Sequence, residues 1–163
     1  PIVRNQLCLI AHRSADISPI EPSALAALKF KHLAIGDPNY VPLGRYAQHW
    51  LQNCKRSDAT SLWDQLAERI LPTVDAQAAL ATVINHAQIL GIVYYSDYWQ
   101  ARDQVQLLAK IPPSPKQPIH YLAASLNQRA LSLKFLDFLS SPSAASHWSA
   151  YGFQALAAYQ NSP

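Results

Sequence analysis

Three segments of this chain hold residues of the kind that bind an anion without a charged side chain. The first is Asp37-Pro38-Asn39-Tyr40-Val41-Pro42-Leu43-Gly44-Arg45-Tyr46, where four turn residues from Gly36 onward run outward and Pro42 opens a helical pattern. A proline at a helix start is followed by free N–H groups at the positive end of the helix dipole, and Leu43 carries the first of them. Gly44 is expected to let the backbone approach a ligand closely. The second is Val74-Asp75-Ala76-Gln77, another exposed helix start, with an N-capping Asp75 before the small Ala76. The third is Gly91-Ile92-Val93-Tyr94-Tyr95-Ser96-Asp97, where Tyr94 ends an apolar run and can aim its hydroxyl into a cleft as a donor. Taken singly, the first two also describe plain capped helices with water at their ends, and the third an aromatic packed at a sheet edge.

Other chemistries find no pattern. The six histidines, His12, His32, His49, His86, His120 and His147, form no HxxxH or HxH pair, so no metal centre is expected. His49 and Cys54 lie on one expected helix, five positions apart and on different faces. GxSxG, Walker A and GxGxxG motifs do not occur in a chain with only four glycines, and an enzyme is not expected. Trp50, Trp63, Trp99 and Trp148 fall in helical patterns and are expected to pack on a sheet; no basic groove accompanies them to make a nucleic-acid platform. The net charge of +3 is scattered, and its densest cluster, Lys55-Arg56, is too short for such a patch.

The elements that must position these residues alternate along the chain. With 163 residues, 50% of them hydrophobic and 14% charged, the composition is that of a folded domain. Apolar runs predict strands at 7–11, 32–35, 90–94, 105–109 and 119–124. Amphipathic or Ala-rich patterns predict helices at 21–28, 44–54, 61–70, 76–87, 130–139 and from Pro142 to about Tyr151-Gly152-Phe153, with a short one beginning at Ser96-Asp97. A linker at 111–118 holds four prolines in eight positions. Strands alternating with helices predict an α/β fold with a mostly parallel sheet flanked by helices. No apolar run approaches the ~18 residues of a membrane span. Neither a signal peptide nor any Met is present, which reads as a removed leader or a truncation; Cys8 and Cys54 read as free thiols.

Read in order, Leu33-Ala34-Ile35-Gly36-Asp37-Pro38, Val41-Pro42-Leu43-Gly44-Arg45-Tyr46-Ala47, Gly91-Ile92-Val93-Tyr94-Tyr95-Ser96-Asp97, Phe135-Leu136-Asp137-Phe138-Leu139-Ser140-Ser141-Pro142 and Tyr151-Gly152-Phe153 resemble the periplasmic molybdate-binding proteins that feed ABC importers, across nearly the whole chain. The resemblance implies a type II periplasmic binding-protein fold. Residues 1–118 would be the second lobe, with Leu7 to Ala11 as the first crossover strand. Residues 119–163 would return to the first lobe. It further implies an oxyanion, molybdate or tungstate, held by the backbone N–H groups of Leu43 and Ala76 and by the Tyr94 hydroxyl. No cofactor, metal ligand or catalytic residue is implied, and Arg45 would be a structural residue. The partner would be the membrane permease of an ABC transporter, the location periplasmic or lipid-anchored outside the membrane, and the complete protein a monomer.

The family commonly has a small residue where Leu43 stands and Val where Ala76 stands, so Leu43 is expected to crowd the anion. The family's first-lobe donors, which include Ser hydroxyls, come from a segment preceding anything in this chain. Each hydrogen bond to a charged ligand contributes ~1.5–3 kcal/mol, so their loss is expected to weaken binding by roughly two to six powers of ten. Two alternatives stay open: the ligand-sensing domain of a transcription regulator with the same fold, and a binding protein for another small anion.

Overall fold

The five-residue run His32–Gly36, with Leu33, Ala34 and Ile35 fully buried, is the strand β3 around which the larger sheet is organised. In the computed structural model, which describes residues 1–54 and 60–156, this sheet has the order β4-β3-β5-β2-β6. Its other strands are Ile70–Thr73 (β4), Ile89–Tyr94 (β5), Leu7–His12 (β2) and Val105–Lys110 (β6). The Lys55-Arg56 cluster lies outside the described residues.

β3 pairs in parallel with both β4 and β5, whereas β2 pairs antiparallel with β5 and with β6. Four of the five strands therefore run one way and β2 alone runs against them. That strand is also the most deeply buried stretch of the sheet. Cys8, Leu9, Ile10 and Ala11 are fully covered, as an uninterrupted apolar run requires when both faces of a strand are packed.

A second, three-stranded sheet has the order β7-β1-β8, built from Ile119–Tyr121 (β7), Val3–Asn5 (β1) and Gln154–Ala155 (β8). β1 is antiparallel to both neighbours. The chain thus changes sheet at Gln6, between β1 and β2, and again along 111–118. Leu7 to Ala11, expected as a crossover strand, lies wholly in the five-stranded sheet, and the residues before it in the other.

The helices are Pro42–Asn53 (α1), Leu62–Leu66 (α2), Ala76–Asn85 (α3), Tyr95–Gln100 (α4), Ala130–Leu139 (α5) and Pro142–Ala150 (α6); α1, α3, α4 and α6 pack against strands, α2 against α1, and α5 against α6. Gly152 ends α6 at φ 82, a left-handed conformation that glycine adopts without strain, and the N–H of Phe153 reaches back to the Trp148 carbonyl. The core belongs to the five-stranded unit, and among the described residues of 119–156 only Ala144 is a fully covered apolar side chain.

Three expectations need correction. The helix expected over 61–70 stops at Leu66, passes through a 3-10 turn at Ala67–Arg69 and becomes strand β4. Ile70 continues the four-residue spacing of Leu62 and Leu66, which is why the pattern reads as helix. β4 is an edge strand, where Pro72 is tolerated because its missing N–H leaves no inner ladder bond unmade. The segment at 21–28 forms a 3-10 helix, Pro22–Ala27, held by Leu25 alone as a buried residue. The strand expected to reach Ala124 ends at Tyr121, beyond which Leu122 is exposed and unpaired with β1.

Candidate functional site

Strands β4, β3 and β5 are neighbours running in one direction, so their carboxyl ends lie side by side. Each of the three candidate segments follows one of these ends: α1 comes after β3, α3 after β4, and α4 directly after β5. This is where open α/β sheets present ligand sites, because loops and helix starts converge there.

At the end of β3, Asp37 organises the turn. Its carboxylate accepts from the Asn39 backbone N–H at 2.9 Å, and its carbonyl accepts from the Val41 N–H at 2.8 Å. α1 then opens with Val41 as N-cap and Pro42 in its first turn, without a side-chain cap. The Leu43 N–H precedes the first intrahelical bond and finds no acceptor among the described residues. The Leu43 side chain is fully buried in the core, so the expected crowding of the helix mouth by that side chain does not occur. Arg45 is exposed and donates to the Asn39 carbonyl at 3.3 Å, which bridges the turn from outside. Gly44 has a packing role that its sequence does not signal. A Cβ there would collide with the Gly36 carbonyl, 2.6 Å from its carbon, so the glycine lets α1 sit on the end of β3.

At the end of β4, Thr73 makes a contact that the sequence pattern does not signal. Its hydroxyl lies within 3.0 Å of the Ile35 carbonyl and 2.9 Å of the Asp75 carbonyl, stitching the loop onto β3. Asp75 caps α3 as expected, accepting from the Ala78 N–H at 2.7 Å. That leaves the Ala76 and Gln77 N–H groups without an acceptor among the described residues. Replacing Asp75 by Ala should lower stability by ~1 kcal/mol, with Asn retaining most of it. Equal denaturation midpoints for the Ala variant and the parent would show that the cap contributes nothing.

Tyr94 closes β5 and is the N-cap of α4. It is half-buried, and burial, with Tyr121, Tyr46 and Asp97 nearby, pushes its hydroxyl pKa well above the usual tyrosine range. It therefore stays a neutral donor at physiological pH. α1 packs against both β3 and β5, which brings the starts of α1 and α4 into one region. Asp97, the last residue of the third candidate segment, joins α3 to α4. Its carboxylate accepts from the Gln77 amide at 3.4 Å, while one of its oxygens is buried without a partner among the described residues. Burial raises its pKa, against hydrogen bonds from Gln77 and the Tyr94 backbone that lower it.

A separate concavity of about 450 Å³ lies between α1 and the 111–118 linker, with His49, Trp50 and Ser114 among its walls; Leu43, Ala76 and Tyr94 do not line it. Among the described residues no three His, Cys, Asp or Glu side chains gather as metal ligands, and no helix is long and apolar enough to cross a membrane. Cys8 and Cys54 are both free, and burial raises the pKa of each thiol.

Comparison with known proteins follows the same outline. A family described as bacterial extracellular solute-binding protein matches residues 1–154. The molybdate-binding protein ModA of Haemophilus influenzae is 31% identical over 159 residues, covering 94% of this chain and 60% of that protein. Among solved structures, a substrate-binding domain from Clostridium difficile superposes with a TM-score of 0.76 at 29% identity, over 94% of this chain and 65% of that one. The periplasmic molybdate-binding protein of Azotobacter vinelandii shares the fold at a TM-score of 0.68 and 21% identity, over 94% of this chain and 66% of that one. The chain therefore spans about three fifths to two thirds of the length of these relatives.

Proposed function

Because the chain belongs to the bacterial extracellular solute-binding proteins, we propose that it is the capturing component for molybdate or tungstate in an ABC-type import system. The observation that carries this reading is the side-by-side arrangement of three strand ends, each followed by a helix start. Two of those starts leave N–H groups without acceptors among the described residues, and the third presents a tyrosine hydroxyl held neutral. The Haemophilus relative, named for molybdate binding, supports the choice of anion.

In this reading Leu43 and Ala76 donate backbone N–H groups and Tyr94 donates its hydroxyl. A cleft of neutral donors takes a fully ionised oxyanion and rejects a protonated one, whose O–H would face a donor with nothing to accept it. Size then separates molybdate and tungstate from the smaller sulfate. The five-stranded unit acts as the second lobe of a two-lobed binding protein, and the segment from Ile119 belongs to the first. Closure of the lobes outside the membrane would present the anion to a membrane permease. The complete protein acts as a monomer, uses no cofactor and carries out no chemistry on its ligand.

A thermal-shift titration with molybdate, tungstate and sulfate at equal ionic strength tests this. Stabilisation by the first two and not by sulfate is expected. Tyr94→Phe should weaken molybdate binding by about 1–3 kcal/mol. An unchanged affinity in that variant would remove Tyr94 from the site, and equal shifts with sulfate would redirect the reading to another small anion.

A further inference from the structure

The point where β5 becomes α4 is held by the segment that crosses between the two sheets. Tyr94 sits opposite Leu7 in the β2–β5 ladder. One residue further, the Tyr95 N–H donates to the Gln6 carbonyl at 2.8 Å. One further again, the Asn5 Nδ2 donates to the Ser96 Oγ at 2.9 Å. Three successive residues at the strand end are thus tied to three successive residues of the crossing, the last by side chains.

Asn5 and Ser96 are among the few buried polar residues, 5% and 4% exposed. The remaining oxygen of the Asn5 amide accepts from the Gln6 N–H at 2.9 Å, which fixes the orientation of the amide. Asn5 itself belongs to the three-stranded sheet, opposite Ile119. The Asn5–Ser96 bond therefore spans the junction between sheets, in surroundings where a hydrogen bond is strong and a lost partner is costly. α4 has no side-chain cap on Tyr94 to hold its own start.

We propose that Asn5 is a positioning residue for Tyr94: through Ser96 it holds the strand-to-helix bend that aims the Tyr94 hydroxyl, and so links the placement of the smaller sheet to capture of the anion. The proposal rests on the oxyanion reading given above. Ser96 is the intermediate, and neither it nor Asn5 touches the ligand.

The test is a double-mutant cycle on this chain, read as molybdate affinity by calorimetry. Asn5→Ala and the milder Ser96→Ala are each measured alone and combined with Tyr94→Phe. Each single variant should bind molybdate about fivefold more weakly than the parent, and neither should weaken binding further once Tyr94 is Phe. A merely structural role gives the same fold-loss in both backgrounds, and that additivity overturns the proposal. Unchanged affinity in a folded Ser96→Ala variant overturns it as well. A parent chain that binds no molybdate defeats the oxyanion reading first and this proposal with it, an outcome distinct from additivity.

Discussion

Gly44→Ala should be the most damaging single-methyl change in the region, lowering stability by about 3–5 kcal/mol. The added Cβ would fall inside the Gly36 carbonyl group and 2.8 Å from the Asp37 carbonyl carbon. Those are backbone atoms at the end of a central strand, so no side-chain rotation relieves the contact. Gly36 in turn has Val41 and the Gly44 nitrogen within 3.1 Å of its own missing Cβ, so both partners are closed in. Either α1 lifts off β3 or the turn at Asp37 opens. Both alternatives move the Leu43 N–H, so anion affinity should fall with stability. Urea denaturation of the variant and parent reads the first effect directly. A loss under ~1 kcal/mol would mean that helix and strand end are not packed this closely.

The largest selective effect on binding is expected from Ala76→Pro. Proline at the first position of a helix keeps the helix intact, because its ring supplies the right φ and the N–H it lacks has no intrahelical partner. The residue before it must be extended, and Asp75 already is, at φ -160 and ψ -178. The substitution therefore deletes one proposed donor while leaving the cap from Asp75 to Ala78 in place. A hydrogen bond to a charged ligand is worth about 1.5–3 kcal/mol, so affinity should drop by roughly ten- to a hundredfold with the melting temperature nearly unchanged. Full affinity in a folded Ala76→Pro protein would show that the Ala76 N–H does not touch the anion. Parallel loss of affinity and stability would trace the effect to the loop instead.

Much of this geometry is legible in the residues themselves. The strands β2, β3, β5 and β6 follow from short apolar runs, and the starts of α1 and α3 follow from Pro42, Asp75 and the turn residues at 36–39. Local patterns also locate the three candidate segments, because helix starts and strand ends are local events, while the contact residues within them are what the family resemblance implies. What they do not carry is pairing. That β2 runs antiparallel depends on β5 and β6, whose residues lie about eighty to a hundred positions further along, and no spacing within Leu7–His12 encodes it. β1 and β8, three and two residues long, have no pattern to detect. Ile70 misleads because it keeps a helical spacing in a strand. Asn5, Thr73, Ser96 and Asp97 matter through partners distant in sequence or through bonds to main-chain carbonyls, and their identities alone would fit any polar surface.

The antiparallel strand between β5 and β6 also orders events in time. β4, β3 and β5 are close in sequence and can assemble with α3 as soon as residue 94 has left the ribosome. β2 is made before all of them, yet its two partners end at Tyr94 and Lys110. Its ladder bonds and the cover for Leu9 and Ile10 arrive only with those later strands, after loops of about eighty residues or more have closed. β2 thus leaves the ribosome well before the strands that shelter it. Until residue 110 of this sequence has been made, the apolar residues of β2 lack part of their cover and are open to aggregation.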